Sequence, residues 1–326
     1  MQKPQASTHL EAEILDRLVQ AQSGHVSPVV SQWHAVSGLR SHFRQQLGEH
    51  VRRIFDNQSA ERTHRHYALP GATRDDYKNH WLELPDLGHC LTGIRFRDLE
   101  PGRPFVDVLA TTLSLGEATN LQNVVNALQE RYRQFRPQHA RFFVPSCFSL
   151  NIECWPGAFW ELCYLAAPAE TLLNQAEPEH YQRVVVRRPW NMTFYSRYRQ
   201  MLEHRFTKHP ELAGYTRIAS IAELKVYLDD GTLFEVFVDG DWAGIVGVTD
   251  EAEQGLDGLS VVELVLSEDV AGRGLGVVVL RHMAEILSPE GDTIIFGTVD
   301  ARNIPAIKTA RRAGGIDVGG YLWFPF

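Results

Sequence analysis

Residues 261–287 read VVELVLSEDVAGRGLGVVVLRHMAEIL: an apolar strand pattern, three glycines at alternate positions, then an apolar helix pattern. Glycines at 272, 274 and 276 let the chain turn sharply and aim its N–H groups outward. A helix that starts there has unbonded N–H donors and the positive end of its dipole in its first turn. Strand, tight turn and helix end together make an anion site suited to a pyrophosphate. Arg273 can add a charge-assisted contact, and Gly276 leaves room for a ligand or the sheet to approach the first turn. A P-loop would need GxxxxGK followed by Ser or Thr, and a dinucleotide fingerprint would need GxGxxG. The spacing here is GxGxG, which disfavours a nicotinamide dehydrogenase.

The glycine turn sits within a regular alternation of patterns. Residues 233–238 and 242–248 read as strands around the hairpin signal Asp239-Gly240. A polar loop is expected at 249–258, a strand at 260–266, a helix at 275–287, a strand at 293–299, a helix at 304–313 and a final strand at 318–324. Upstream, Phe194, Tyr198, Met201, Leu202 and Phe206 make a helical stripe, and 221–227 is open to either a helix or a strand. The N-terminal half begins with helical patterns at Leu10–Leu18 and over 29–55, the second interrupted near Gly38, and a loop over 56–76. Strands are expected at 91–96, 105–112, 141–144 and 159–165, with a helix over 119–135. The fold class is α/β (α+β), a mixed central sheet flanked by helices, with an N-terminal helical extension. The strand–helix–strand run of 105–144 echoes that of 260–299. A polar, proline-flanked stretch near 177–189 places the boundary between domains 1–187 and 188–326.

Composition bounds the partners. A net charge of −8 over 326 residues gives no electrostatic reason to seek nucleic acid or an anionic membrane. The opening MQKPQASTHLEAE lacks an apolar secretion core, and no apolar run nears the roughly 18–20 residues of a spanning helix. Cys90, Cys147, Cys154 and Cys163 form no CxxC pair and read as reduced thiols of a cytoplasmic protein. His64 and His66 form a His-x-His pair with no third ligand nearby in sequence, so loop histidines are expected rather than a metal site.

The string VELVLSEDVAGRGLG resembles the acyl-CoA motif of the GNAT superfamily of N-acyltransferases, Gln/Arg-x-x-Gly-x-Gly/Ala, which follows the fold's fourth strand and opens its third helix. Gly274 and Gly276 occupy the two small-residue positions; Ala271 departs from Gln or Arg, and Arg273 is a substitute cation. Downstream, Asn303-x-x-Ala306 and Gly314 are similar to the start and end of the family's fourth helix, and the hairpin at Asp239-Gly240 to its second and third strands. The resemblance covers about 191–326. It implies that acetyl-CoA or another acyl-CoA is the co-substrate, with no metal. The backbone of Leu264, Val265 and Leu266 would meet the pantetheine amides, the amides of Gly272, Arg273, Gly274, Leu275 and Gly276 the pyrophosphate, and Asn303 the pantetheine arm. The N-terminal half would be a diverged second domain of the same kind, in which Leu113–Ala118 replaces the glycine turn.

The acceptor implied is a primary amine of a small molecule or peptide, in a cleft shaped partly by the other half. Direct attack in a ternary complex needs a base. Glu263, on the strand before the loop, is the first candidate and Asp300 the second, while Ser267 could orient a water. The family's usual acid, a tyrosine, falls on Ala310; Tyr321 of the last strand is the substitute candidate. The alternative is a non-catalytic acyl-CoA-binding regulatory protein.

Overall fold

The computed structural model describes residues 4–113, 118–146, 152–291 and 293–326. In chain order the elements begin with α1 (Pro4–His25), α2 (Pro28–Trp33), α3 (Val36–Arg52), α4 (Asn57–Tyr67), β1 (Asn79–Leu84), β2 (Gly88–Phe96), β3 (Pro104–Thr111) and α5 (Ala118–Arg131). There follow β4 (His139–Pro145), β5 (Phe159–Pro168), α6 (Ala169–Asn174), β6 (Val184–Arg187), α7 (Tyr195–Lys208) and α8 (Ile221–Asp229). The last are β7 (Leu233–Val238), β8 (Asp241–Glu253), β9 (Leu256–Leu266), α9 (Leu275–Leu287), β10 (Ile294–Asp300), α10 (Ile304–Arg312) and β11 (Ile316–Pro325). The α/β class, the mixed sheet flanked by helices and the N-terminal helices are as the sequence implies. Among the described residues, no helix is long and apolar enough to cross a membrane.

Two compact units divide the chain: unit 1 holds 1–162, 253–255 and 318–326, and unit 2 holds 163–252 and 256–317. In unit 1, β1, β2 and β3 run antiparallel, β3 pairs parallel with β4, and β4 pairs antiparallel with β11. Its core joins Ile94, Val106 and Val108 of the strands to Leu121, Val124 and Leu128 of α5, with Leu322 and Phe324 of β11. In unit 2 the order runs β10-β9-β8-β7-β6, with β10 parallel to β9 and β6 antiparallel to β7. One face packs Val236, Val246 and Val248 against Val278, Val279 and Met283 of α9. The opposite face packs Ile245 and Val265 against Tyr198 and Leu202 of α7, its N-cap Phe194, and Leu224 of α8. The stretch 163–187, which the sequence places with the first half, belongs to unit 2, because β6 pairs with β7.

Several expectations change. The segment read as a loop over 56–76 contains α4, a helix made by caps and charge rather than an apolar stripe. Asp56 accepts from the amides of Gln58 and Ser59, and Arg65 pairs with Glu61 one turn before it at 2.7 Å. The polar loop expected at 249–258 is mostly strand: β8 and β9 meet at Gln254-Gly255, both with positive φ (53° and 84°), a two-residue hairpin turn. The long helix of 29–55 breaks at extended His34 rather than near Gly38, which lies inside α3. Helix wins at 221–227, where Ser220 and Glu223 form a capping box. The short strands β1 and β6 were not foreseen. Of the segment 113–118, residues 114–117 lie outside the described residues, as does Cys147.

Candidate functional site

All residues of the glycine turn and its surroundings lie in unit 2. The chain leaves β9, makes a short turn at Glu268–Val270 and reaches α9 through Gly272 and Gly274, with φ of 75° and 76°. Those left-handed backbones explain the glycines, because a Cβ there is strained. Among the described residues, the amides of Gly272, Arg273, Gly274, Leu275 and Gly276 donate no backbone hydrogen bond. A Cβ built on Gly272 or Gly274 would meet nothing within 4 Å, so the mouth of the turn is open. Arg273 is exposed, and its charge helps hold the Asp239 carboxyl low, behind the larger effect of the Arg183 ion pair. Five free amides at a helix N-terminus beside an exposed guanidinium fit a pyrophosphate. Gly276 also answers a packing demand: its Cβ would lie 2.7 Å from Thr309 Cγ2, so it lets α10 lie close against α9. Ala271 donates its amide to the Glu268 carbonyl at 3.1 Å and presents no side-chain donor.

The parallel ladder between β9 and β10 covers Gly258–Ser260 against Ile294–Phe296, while the two strands continue to Leu266 and Asp300. The paired register ends at Ser260 and Phe296. The Val265 carbonyl faces Gly244 of β8, and the Ser267 amide donates to the Ala243 carbonyl at 2.7 Å. By alternation, the backbone groups of Leu264 and Leu266 point the other way, toward the β10 side. There the Leu266 carbonyl accepts from the Arg205 guanidinium. Leu264, Val265 and Leu266 therefore stand past the end of the paired register, with the Leu266 carbonyl already engaged.

Glu263 is partly buried on the α7–α8 face of the sheet. Burial pushes its carboxyl up to about 7; the Tyr198 hydrogen bond and the Arg217 charge oppose that shift, and Glu223 adds to it. Tyr198 is fully buried and donates its hydroxyl to Glu263 Oε1 at 3.2 Å, while accepting from the Ala219 amide at 2.9 Å. Arg217 pairs with Glu223 at 2.6 Å. Asp300, at the end of β10, is held by Arg302 through both oxygens at 2.7 and 2.8 Å, and Arg302 also donates to the Gly214 carbonyl. Ser267 precedes the 268–270 turn and accepts from the Val270 amide through its carbonyl. Asn303 caps α10, its side chain accepting from the Ala306 amide at 3.3 Å.

The structure thus brings Glu263, the Leu264–Leu266 backbone and the glycine turn onto one strand–loop–helix run, with Asp300 and Asn303 on the neighbouring strand and helix. Tyr321 belongs to unit 1, where its hydroxyl joins Glu253 at 3.3 Å and Gln254 at 3.2 Å under the Arg141 guanidinium. Tyr198, Arg205 and Arg217 were not singled out from the sequence. Tyr198 appeared there only as a member of an apolar stripe, although a buried tyrosine hydroxyl needs a polar partner. His64 lies on α4 against the ring of Tyr77, and among the described residues no group of three or more His, Cys, Asp or Glu is placed to hold a metal ion.

Residues 190–315 match the family model described as the Acetyltransferase (GNAT) family. This stretch is a GNAT acetyltransferase domain. No curated protein matches the chain. Among solved structures, the chain is similar to a GCN5-related N-acetyltransferase from Sphaerobacter thermophilus, at 14% identity over 74% of this chain and 81% of that one, with a TM-score of 0.48. It is also similar to a GNAT-family acetyltransferase from Colwellia psychrerythraea, at 12% identity over 83% and 96%, TM-score 0.48. A tandem GNAT protein from the clavulanic acid biosynthesis pathway shares 13% identity over 73% and 78%, TM-score 0.42.

Proposed function

We propose that the GNAT domain binds an acyl-CoA and transfers its acyl group, acetyl in the simplest case, to a primary amine of a small molecule or peptide. The observation that carries this reading is the set of five unbonded amides at the start of α9, continuous with a strand whose partly buried Glu263 is hydrogen-bonded by Tyr198. The amides of 272–276 and Arg273 would hold the pyrophosphate, and the outward backbone groups of Leu264 and Leu266 the pantetheine. The thioester supplies an activated acyl carbon and a thiolate leaving group. Glu263 accepts the proton lost by the amine as its nitrogen bonds to that carbon. Holding both reactants on one scaffold supplies the larger share of the rate, on the order of 7–11 kcal/mol in favourable cases, and the base a further factor of about 10²–10⁴. Asp300 is a weaker candidate, because its carboxylate is held by Arg302.

A thermal-shift assay with acetyl-CoA, NAD and ATP tests the binding half. A ligand at a hundred times its dissociation constant stabilises by about 2.7 kcal/mol. Acetyl-CoA is expected to raise the melting temperature and NAD is not; equal stabilisation by NAD overturns the reading. Ala310, where the resemblance expects a tyrosine, favours a second reading as a non-catalytic acyl-CoA-binding regulator. Acyl transfer to a panel of primary amines separates the two.

A further inference from the structure

We infer that Tyr198 is the positioning residue for Glu263, fixing one carboxylate oxygen so that the other is presented to the acceptor amine. The inference rests on Glu263 being the base. Tyr198 sits on α7 with no exposed surface, and its hydroxyl is held from both sides, accepting from the Ala219 amide and donating to Glu263 Oε1. A phenol pinned by a backbone amide has little freedom to rotate, so it selects one orientation of the carboxylate. Among the described residues, Oε2 has no protein partner, and it is not a sealed, unsatisfied atom. One oxygen is thus anchored while the other is left for a proton.

The other groups facing Glu263 do not take this role. Arg217 acts on it through charge and spends its hydrogen bonds on Glu223 of α8. Tyr195 of α7 donates to the Ala219 carbonyl. Tyr227 of α8 reaches the same face at Gly247, and β8 contributes Ile245 and Gly247, which carry no charge. Among the described residues, only Tyr198 hydrogen-bonds the carboxylate. Its bond favours the ionised form, so removing it should move Glu263 further up.

The test follows the protonated carboxyl band of Glu263 by infrared difference titration of the full chain, assigned by its loss in Glu263→Gln. In Tyr198→Phe the midpoint should rise by about one to two pH units, the size of a hydrogen bond to a charged group. An unmoved midpoint overturns the inference and leaves the base reading intact. If Tyr198→Phe does not fold, 3-fluorotyrosine incorporation gives the readout in the unmutated chain. A fluorine resonance should titrate with the Glu263 midpoint and be flat in Glu263→Gln; its absence overturns the inference. Turnover of acetyl-CoA with a panel of primary amines completes the cycle. Tyr198→Phe should slow the parent and cause no further loss in Glu263→Gln, whereas additive losses would mean that Tyr198 acts independently of the base. Full turnover in Glu263→Gln would instead overturn the base reading itself.

Discussion

A carboxyl group that is costly to ionise in the folded chain ties activity to stability at Glu263. Burial raises it from 4.5 to about 7. The folded state therefore holds the proton more tightly than the unfolded state. Below about pH 4.5 the group is protonated in both states and costs nothing. As pH rises from about 4.5 to 7 the penalty grows, and above 7 it is constant. Glu263→Gln removes that penalty, so its melting temperature relative to the parent should increase across this window and then level off. A difference independent of pH would show that the carboxyl titrates normally. Turnover should fall about a hundredfold in the same variant, while acetyl-CoA stabilisation stays nearly unchanged. In the parent, turnover should rise through about pH 7 as the carboxylate forms. Glu263 was legible because an acidic residue in an apolar strand before a glycine turn stands out. Its partners were not, because Tyr198 lies 65 residues away and looks like core from periodicity alone.

The α9–α10 pair shows how an element-level constraint hides behind a motif. Gly276 fits the family motif by position, yet its contact is with Thr309. Gly276→Ala should destabilise by about 1–3 kcal/mol through overpacking. Thr309→Ala, which removes the methyl 2.7 Å from the added Cβ, should restore much of that loss. Denaturant midpoints of the two single variants and the double variant measure this, and additive losses would count against the contact. Gly274→Val differs in kind: its Cβ meets open space, so it should spare the α9–α10 contact and abolish the thermal shift with acetyl-CoA, through backbone strain and a branched side chain in the turn. Retention of the full shift would move the pyrophosphate elsewhere. Elements with strong apolar periodicity, such as α5, α9 and β7, were readable from sequence. The capped polar helix α4 and the hairpin joining β8 to β9 were not, because caps and two positive-φ residues decided them rather than an apolar face.

At the scale of the whole molecule, the chain's end is the least local feature. Periodicity places β11 as a strand but says nothing of its partner. The register shows Gly319–Pro325 paired antiparallel with His139–Pro145 of β4, some 180 residues earlier. A boundary drawn from a polar, proline-flanked stretch could not see this pairing, or that of β6 with β7, since both depend on contacts distant in sequence. The consequence is testable by ending the chain at Asp317. That truncation removes Val318, Leu322, Trp323 and Phe324, all at most 4% exposed, and strips β4 of its antiparallel partner, leaving only its pairing with β3. At about 1.5–3 kcal/mol for each large apolar side chain, the loss is on the order of 6–12 kcal/mol. A typical domain has a total of about 5–15 kcal/mol. Unit 1 should therefore lose its cooperative fold: hydrogen exchange in β2, β3 and β4 should approach unprotected rates, and the newly bare edge of β4 should promote aggregation. Protection in those strands equal to that of the full chain would mean that the core of unit 1 closes without β11, and that the pairing at Gly319–Pro325 contributes little to its stability.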